Sequence, residues 1–167
     1  MPAPSFELGH GKYAQVERER RFLLDHMPPG TRTAEGRRIV DRYLTGTTLR
    51  LRHMSDHHGH DYKFTQKIPA AHPGPAQGVI TSIYLSDAEY DLLANLPAET
   101  LTKTRYSVPP FGIDVFSPPL NGLVLAEIEF NTDVDLLAFQ PPRQVIAEVT
   151  RDPASPADAS STPRGNS

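Results

Sequence analysis

The sequence predicts a mainly antiparallel β domain of the α+β class that closes into a barrel. Three observations lead there. Apolar and polar residues alternate with a period of two through nine short segments, tight-turn residues separate neighbouring segments, and charged side chains share one face on five of them. The first segment shows the pattern most plainly. In Val16-Glu17-Arg18-Glu19-Arg20-Arg21-Phe22, residues Glu17, Glu19 and Arg21 take every second position and so stand on one side of a strand.

Residues 1–13 mix Pro, Gly, His and Ser without periodicity and read as a flexible leader. Strands are expected over 15–23, 38–44, 48–53, 61–68, 79–85, 102–108, 112–116, 124–130 and 145–150. Between them, Thr45-Gly46-Thr47, Pro109-Pro110-Phe111-Gly112 and Pro118-Pro119-Leu120-Asn121-Gly122 break the chain where antiparallel hairpins turn. A helix is expected over 87–96, with Ser86 as N-cap, Glu89 closing a capping box, Leu92, Leu93 and Leu96 as its buried stripe and Pro97 as its stop. A shorter helix is expected at 25–27, and 133–139 reads as a turn or short helix. From Pro153 no large apolar residue occurs, so 153–167 cannot offset its ordering entropy and is expected to be disordered. One domain, 14–152, remains.

The charged faces are the functional signal. Arg50 and Arg52 alternate with Leu49 and Leu51, and Glu127 and Glu129 with Ala126, Ile128 and Phe130, so these strands have an apolar side to bury and a charged side opposite it. Lys63 with Lys67, and Lys103 with Arg105, repeat the arrangement. Carboxylates sit on the first and penultimate strands and bases on three others; a barrel turns both sets inward around one lumen. Crowded carboxylates stay ionised only beside a cation, and all-oxygen donors suit Mg²⁺ or Mn²⁺. Clustered Arg and Lys suit an anion of several charges, and phosphate matches the guanidinium fork.

Composition excludes several alternatives. A formal net charge of −3 gives no general attraction to nucleic acid, and the absence of cysteine rules out thiolate chemistry and Cys-based metal sites. No signal-peptide core or membrane-spanning run is present, so a cytoplasmic protein without membrane partners is expected. His57, His58 and His60 read as a polar hairpin tip.

Glu17-Arg18-Glu19-Arg20-Arg21 resembles the Glu-x-Glu-x-Lys signature of the CYTH domains, or triphosphate tunnel metalloenzymes. The similarity continues in order through Tyr43-Leu44 and Leu49-Arg50-Leu51-Arg52, Phe64-Thr65-Gln66-Lys67, Lys103-Thr104-Arg105-Tyr106, Ile113-Asp114-Val115-Phe116, Gly122-Leu123-Val124-Leu125-Ala126-Glu127-Ile128-Glu129 and Glu148-Val149-Thr150. The resemblance implies an eight-stranded antiparallel β-tunnel, closed as a barrel with a few flanking helices, which binds a small triphosphate-bearing substrate with Mg²⁺ or Mn²⁺ and hydrolyses it. It implies Glu17, Glu19, Glu127 and Glu129 as metal ligands. Arg21, Arg50, Arg52, Lys63, Lys67, Lys103 and Arg105 would hold phosphate oxygens. Glu148 would stand in the lumen and, with Glu17, Glu19 and Glu129, make up the catalytic carboxylates; Asp114 is a further candidate.

The chain departs from the family pattern twice. Arg21 replaces the motif's lysine with a planar group that cannot deprotonate. After Thr150 the sequence reads Arg151-Asp152-Pro153, which does not favour the lid helix the family often carries there. An inorganic triphosphatase is the expected activity. A class IV adenylyl cyclase and a non-catalytic polyphosphate- or nucleotide-binding module are the alternatives, and a homodimer paired through an apolar outer flank is compatible with any of them.

Overall fold

The computed structural model describes residues 11–150. The expected tail, and the leader up to residue 10, lie outside the described residues.

Ten strands form one antiparallel sheet: β1 (Gln15–Glu17), β2 (Glu19–Leu24), β3 (Gly36–Leu44), β4 (Leu49–Asp56), β5 (Gly59–Pro69), β6 (Gly78–Leu85), β7 (Ala98–Val108), β8 (Phe111–Phe116), β9 (Val124–Glu129) and β10 (Val145–Glu148). Two short helices, α1 (Asp87–Leu93) and α2 (Asp133–Ala138), complete it. The strand order is β1-β6-β5-β4-β3-β7-β8-β9-β2-β10, with β1 and β10 at the edges.

This ladder is not the closed eight-stranded barrel the sequence led us to expect, and the reason is local. The expected first strand breaks at Arg18. Its front half, β1, pairs with β6, and its back half, β2, pairs with β9 and β10. A single residue therefore separates segments bonded near opposite ends of the sheet, which obliges the sheet to curl. The backbone is stitched at that point: Gln77 N–H donates to Glu17 O at 2.8 Å, and Phe130 N–H donates to Arg18 O at 2.8 Å.

Hairpin chemistry sets the registers. Gly46 adopts a φ of 74°, a left-handed conformation that glycine takes without a Cβ penalty, and so turns β3 into β4. That turn places Asp41 opposite Arg52 and Tyr43 opposite Arg50. On β2 and β9 it is the alternation that matters. Phe22, Leu24, Val124, Ala126 and Ile128, with Ile113 of β8, form the buried core on the face turned away from the charged residues, packed against Phe111, Phe130, Phe139 and Val145. Burying these side chains contributes roughly 1.5–3 kcal/mol for each large one. Glu19, Arg21, Glu127 and Glu129 are thereby committed to the other face.

The helices are smaller than expected. No helix forms at 25–27; a single 3-10 turn, Thr31–Thr33, stands further on, with Thr31 Oγ1 donating to Pro28 O at 2.8 Å. Helix α1 has the expected capping box, Ser86 Oγ accepting from Glu89 N–H, but it stops at Leu93 and buries no residue. Leu92 and Leu96 are exposed, not the core stripe their spacing suggested. Two turns cannot seat a whole apolar stripe, and α1 is held instead by aromatic contact, Tyr90 stacking on Tyr62 with centroids 4.2 Å apart. Helix α2, capped by Thr132, forms over the segment read as a turn or short helix.

Candidate functional site

The charged face of the curled sheet encloses a cavity of about 740 Å³. Glu17, Glu19, Arg50, Arg52, Lys63, Lys67, Lys103, Arg105, Glu127 and Glu129 all line it. Six strands contribute, so the convergence follows from the curl and not from any one segment.

The basic wall is built on two buried aspartates. Asp41, fully buried on β3, accepts two hydrogen bonds from Arg52, Nε at 2.6 Å and Nη2 at 2.8 Å. Burial alone would raise its pKa; the Arg52 guanidinium, assisted by Arg50 and Lys103, overrides that and brings it down to about 2. Asp114, fully buried on β8, binds Lys103 Nζ at 2.5 Å and Arg105 through Nε at 2.6 Å and Nη2 at 2.7 Å. Arg105 also donates to Glu127. Its stem crosses Gly112, where an added Cβ would lie 3.4 Å from Arg105 Cδ, so the absent side chain leaves room for the reach. Burial would raise the Glu127 carboxyl, but Lys103 and Arg105 hold it well below the ordinary range.

Two cations on this wall are less satisfied. Arg50 approaches Asp41 only to 3.8 Å, and its buried Nε has no hydrogen-bond partner among the described residues. Lys63 meets no carboxylate within ion-pair distance among the described residues; burial, then Arg50 and Arg52, push its pKa down. Tyr43, beside them, is raised to about 12 by burial and by Asp41.

The acidic wall has the opposite imbalance. Glu19 of β2 lies directly across from Glu129 of β9, a like-charge pairing that opposes association unless something neutralises it. Burial first, and then Glu127, push Glu19 up to about 8. Arg21 is its nearest cation, with Nε 3.5 Å from Glu19 Oε1. Glu17 is engaged by Lys67 at 2.9 Å, while exposed Glu129 makes no ion pair among the described residues. These carboxylates do not gather into a three-ligand cluster; among the described residues only Glu35, His57 and His58 do so.

Two expected site residues stand elsewhere. Arg21 is almost fully buried in the wall and does not line the cavity; its Nη2 donates to Thr150 O at 2.6 Å. Glu148 is not in the lumen. It pairs across from Phe22, on the outward face, and its carboxylate takes a two-pronged bond from Arg20 at 2.8 and 2.9 Å. Residue Glu148 falls on that side because β10 joins β2 in the register that matches Ala147 to Leu23. Conversely, Asp41 and Arg37 belong to the site without having been singled out, and Tyr43, part of the ordered resemblance but given no role there, lines the cavity. The period-two rule reaches them, since Arg37, Ile39, Asp41 and Tyr43 share one face of β3.

No family model and no curated protein sequence matches the chain. Solved structures do. The structure described as the inorganic triphosphatase NE1496 superposes with a TM-score of 0.57 at 26% identity, over 90% of this chain and 98% of that one. A second structure, described as the hypothetical protein NE1496, gives 0.56 at 28% identity, over 89% and 100%. The PH1819 protein from Pyrococcus horikoshii OT3 shares the fold at 0.50 and 16% identity, over 72% and 82%. With near-complete coverage of the first two and the ordered charge motifs converging on one cavity, the chain shares the fold of an inorganic triphosphatase, in agreement with its resemblance to the CYTH, or triphosphate tunnel metalloenzyme, domains.

Proposed function

We propose that the cavity is a tunnel that takes a small triphosphate-bearing molecule together with Mg²⁺ or Mn²⁺, and that the protein hydrolyses it, with inorganic triphosphate as the preferred substrate. The observation that carries this reading is complementary imbalance inside one enclosure. Arg50 has only a long contact to Asp41, and Lys63 meets no carboxylate among the described residues. Glu19 is opposed by Glu127 and Glu17 more than Arg21 relieves it, Glu129 makes no ion pair among the described residues, and all four line the same cavity. A lone polyanion would leave the acidic wall unmet, and a lone cation the basic wall. The fold shared with an inorganic triphosphatase supports the reading, and the volume suits a small molecule over a polymer.

The donor set fits a hard divalent cation: carboxylate oxygens only, with Glu19 pushed up to about 8 by burial and by its neighbouring carboxylates, so that it retains a proton near neutral pH. Glu17, Glu19 and Glu129 would hold the ion, with Glu127 behind them, and it would supply Lewis-acid polarisation of phosphoryl oxygens. The chain's own groups do the rest. Arg52, Lys103 and Arg105 are fixed in advance by Asp41 and Asp114, so they meet the charge that builds on the phosphoryl oxygens without rearranging. Arg50 and Lys63 bring the free donors, and Lys67 can exchange Glu17 for phosphate. Water attacks the terminal phosphorus in line, its oxygen forming the new P–O bond as the bridging bond breaks; a carboxylate of the acidic wall orients it and takes its proton.

We place this activity in the cytoplasm, on a free small molecule, without nucleic-acid or membrane partners. No helix of the described residues is long and apolar enough to cross a membrane. The deciding experiment is a phosphate-release screen of tripolyphosphate, thiamine triphosphate and nucleoside triphosphates with Mg²⁺ or Mn²⁺. Release of orthophosphate from tripolyphosphate, fastest of the set, is expected. Cyclic AMP formation from ATP would replace hydrolysis with cyclase chemistry, and tight tripolyphosphate binding without release would leave a binding module.

A further inference from the structure

The β4–β5 hairpin and the segment leading into β3 meet at the rim of the cavity, and their meeting point has a chemistry that the phosphate reading does not use. His57 and His58 occupy the hairpin turn, which Asp56 shapes by accepting the His58 N–H at 2.8 Å. Both imidazoles are drawn to one carboxylate. His57 Nε2 lies 3.4 Å from Glu35 Oε1, and His58 Nε2 lies 3.7 Å from Glu35 Oε2. The two rings pack with centroids 3.8 Å apart. All three ligand atoms fall within 4.8 Å of one another. His60 is not part of the group; its Nε2 faces Asp87 at 3.2 Å.

We propose that Glu35, His57 and His58 form a second metal site, selective for a borderline transition ion such as Zn²⁺ and separate from the hard-cation site inside the cavity. Two imidazole nitrogens and one carboxylate are the donor types that favour zinc over magnesium. Metal bonds of about 2.0 Å at tetrahedral angles put neighbouring ligand atoms about 3.3 Å apart, and the two histidine–Glu35 separations, 3.4 and 3.7 Å, are close to that. Three protein ligands leave the fourth position to water. All three residues are exposed, so the site is reached without opening the fold. An ion here would tie the hairpin to the strand-entry segment and neutralise Glu35 where it borders the cavity.

The site does not depend on the proposed activity, and its test reads binding only. Zn²⁺ is titrated calorimetrically into the full chain with Mg²⁺ in large excess to occupy hard-oxygen sites, and Co²⁺ is added separately as a visible-absorption probe of four-coordinate geometry. We expect one saturable Zn²⁺ equivalent, weakened at least tenfold in the double variant H57A/H58A and also weakened in E35Q, with the four-coordinate Co²⁺ spectrum lost in both. The variant E17Q/E19Q should bind Zn²⁺ like the parent. Unchanged Zn²⁺ affinity in H57A/H58A, no saturable binding in the parent, or loss of binding in E17Q/E19Q instead would each overturn the assignment. Because the three side chains are exposed, their substitution leaves the core intact, and circular dichroism of each variant confirms that weakened binding is not unfolding.

Discussion

The two walls of the cavity solve the problem of buried charge in different ways. On the wall made by β3, β4, β7 and β8, each cluster of bases is backed by a fully buried aspartate, Asp41 for Arg52 and Asp114 for Lys103 and Arg105. The counter-charge lies behind the functional groups, so the wall is rigid before any ligand arrives. On the wall made by β1, β2 and β9, no comparable cation stands behind Glu19, and its carboxyl is forced up to about 8. Most of the basic wall is neutralised within the protein, Arg50 and Lys63 excepted, whereas the acidic wall has no such internal support for Glu19 and Glu129. Under the proposed function, a divided design of this kind would tie anion affinity to preorganisation and make the acidic half respond to cations and protons.

The strongest way to break the basic wall is to remove its internal counter-ion. Asp41→Ala leaves Arg52 buried and unpaired, and truncating one partner of such a pair costs about 3–5 kcal/mol. Urea denaturation should show that loss, while Asp41→Asn, which keeps the volume, should show less. The pH dependence has a definite sign. Asp41 titrates at about 2 in the fold against an ordinary 3.8, so its contribution is full above about pH 3.8 and disappears as pH falls toward 2. A variant that melts like the parent would mean that the basic wall needs no support from behind.

On the acidic wall the largest effect should be on turnover, not on folding. Glu19→Ala or Glu17→Ala removes a cation ligand under the proposed function, and loss of one charge-stabilising group at a reacting centre costs about 10²–10³ in rate. Steady-state phosphate release with Mn²⁺ measures it. Near-parental kcat/KM in either variant would shift the cation away from these carboxylates.

Proton and metal should compete at Glu19. A carboxyl raised from an ordinary 4.5 to about 8 favours its neutral form in the fold, so its contribution to stability is full below pH 4.5 and is lost as pH rises through 8. Thermal melts of metal-free protein should therefore decline between pH 5 and 9, and E19Q should flatten the decline. Saturating Mg²⁺ should raise the melting temperature more at the alkaline end, and binding at pH 7 should release a proton, visible as a buffer-dependent calorimetric heat. Identical pH slopes in parent and E19Q would erase the asymmetry between the walls.

How much of this was legible beforehand depends on the range of the interaction. Alternation in Leu49-Arg50-Leu51-Arg52 and Ala126-Glu127-Ile128-Glu129 assigns faces, because burial of one side dictates the other. The cavity itself could then be anticipated from the strands. Asp41 was equally exposed to that rule, but one acid amid Arg42, Arg38 and Arg37 carries no local sign of being the hub beneath Arg52; only the Gly46 turn, by setting register, makes it so. The break at Arg18 was invisible because it arises where two strands from distant parts of the chain compete for one segment. The exposure of Leu92 was missed because helical spacing says which residues share a face, not whether anything covers it.

The smallest effect is expected at Glu148, and it tests whether the boundary of the acidic wall is drawn correctly. Its carboxylate bonds Arg20 on the outer face, and that bond holds its pKa below the ordinary range. Arg20 in turn lies over Phe22 and Phe139 and donates to Leu136 O and Phe139 O, so the pair pins α2 to the sheet. Glu148 is partly solvated, and ion pairs of that kind contribute about 0.2–1 kcal/mol. Glu148→Gln keeps the volume and removes the charge. It should lower stability by no more than that amount and leave kcat and KM for the triphosphate near parental values. A large fall in kcat with unchanged stability would return Glu148 to the reacting centre and require β10 to present its other face to the cavity, in a register one residue removed from the pairing of Ala147 with Leu23.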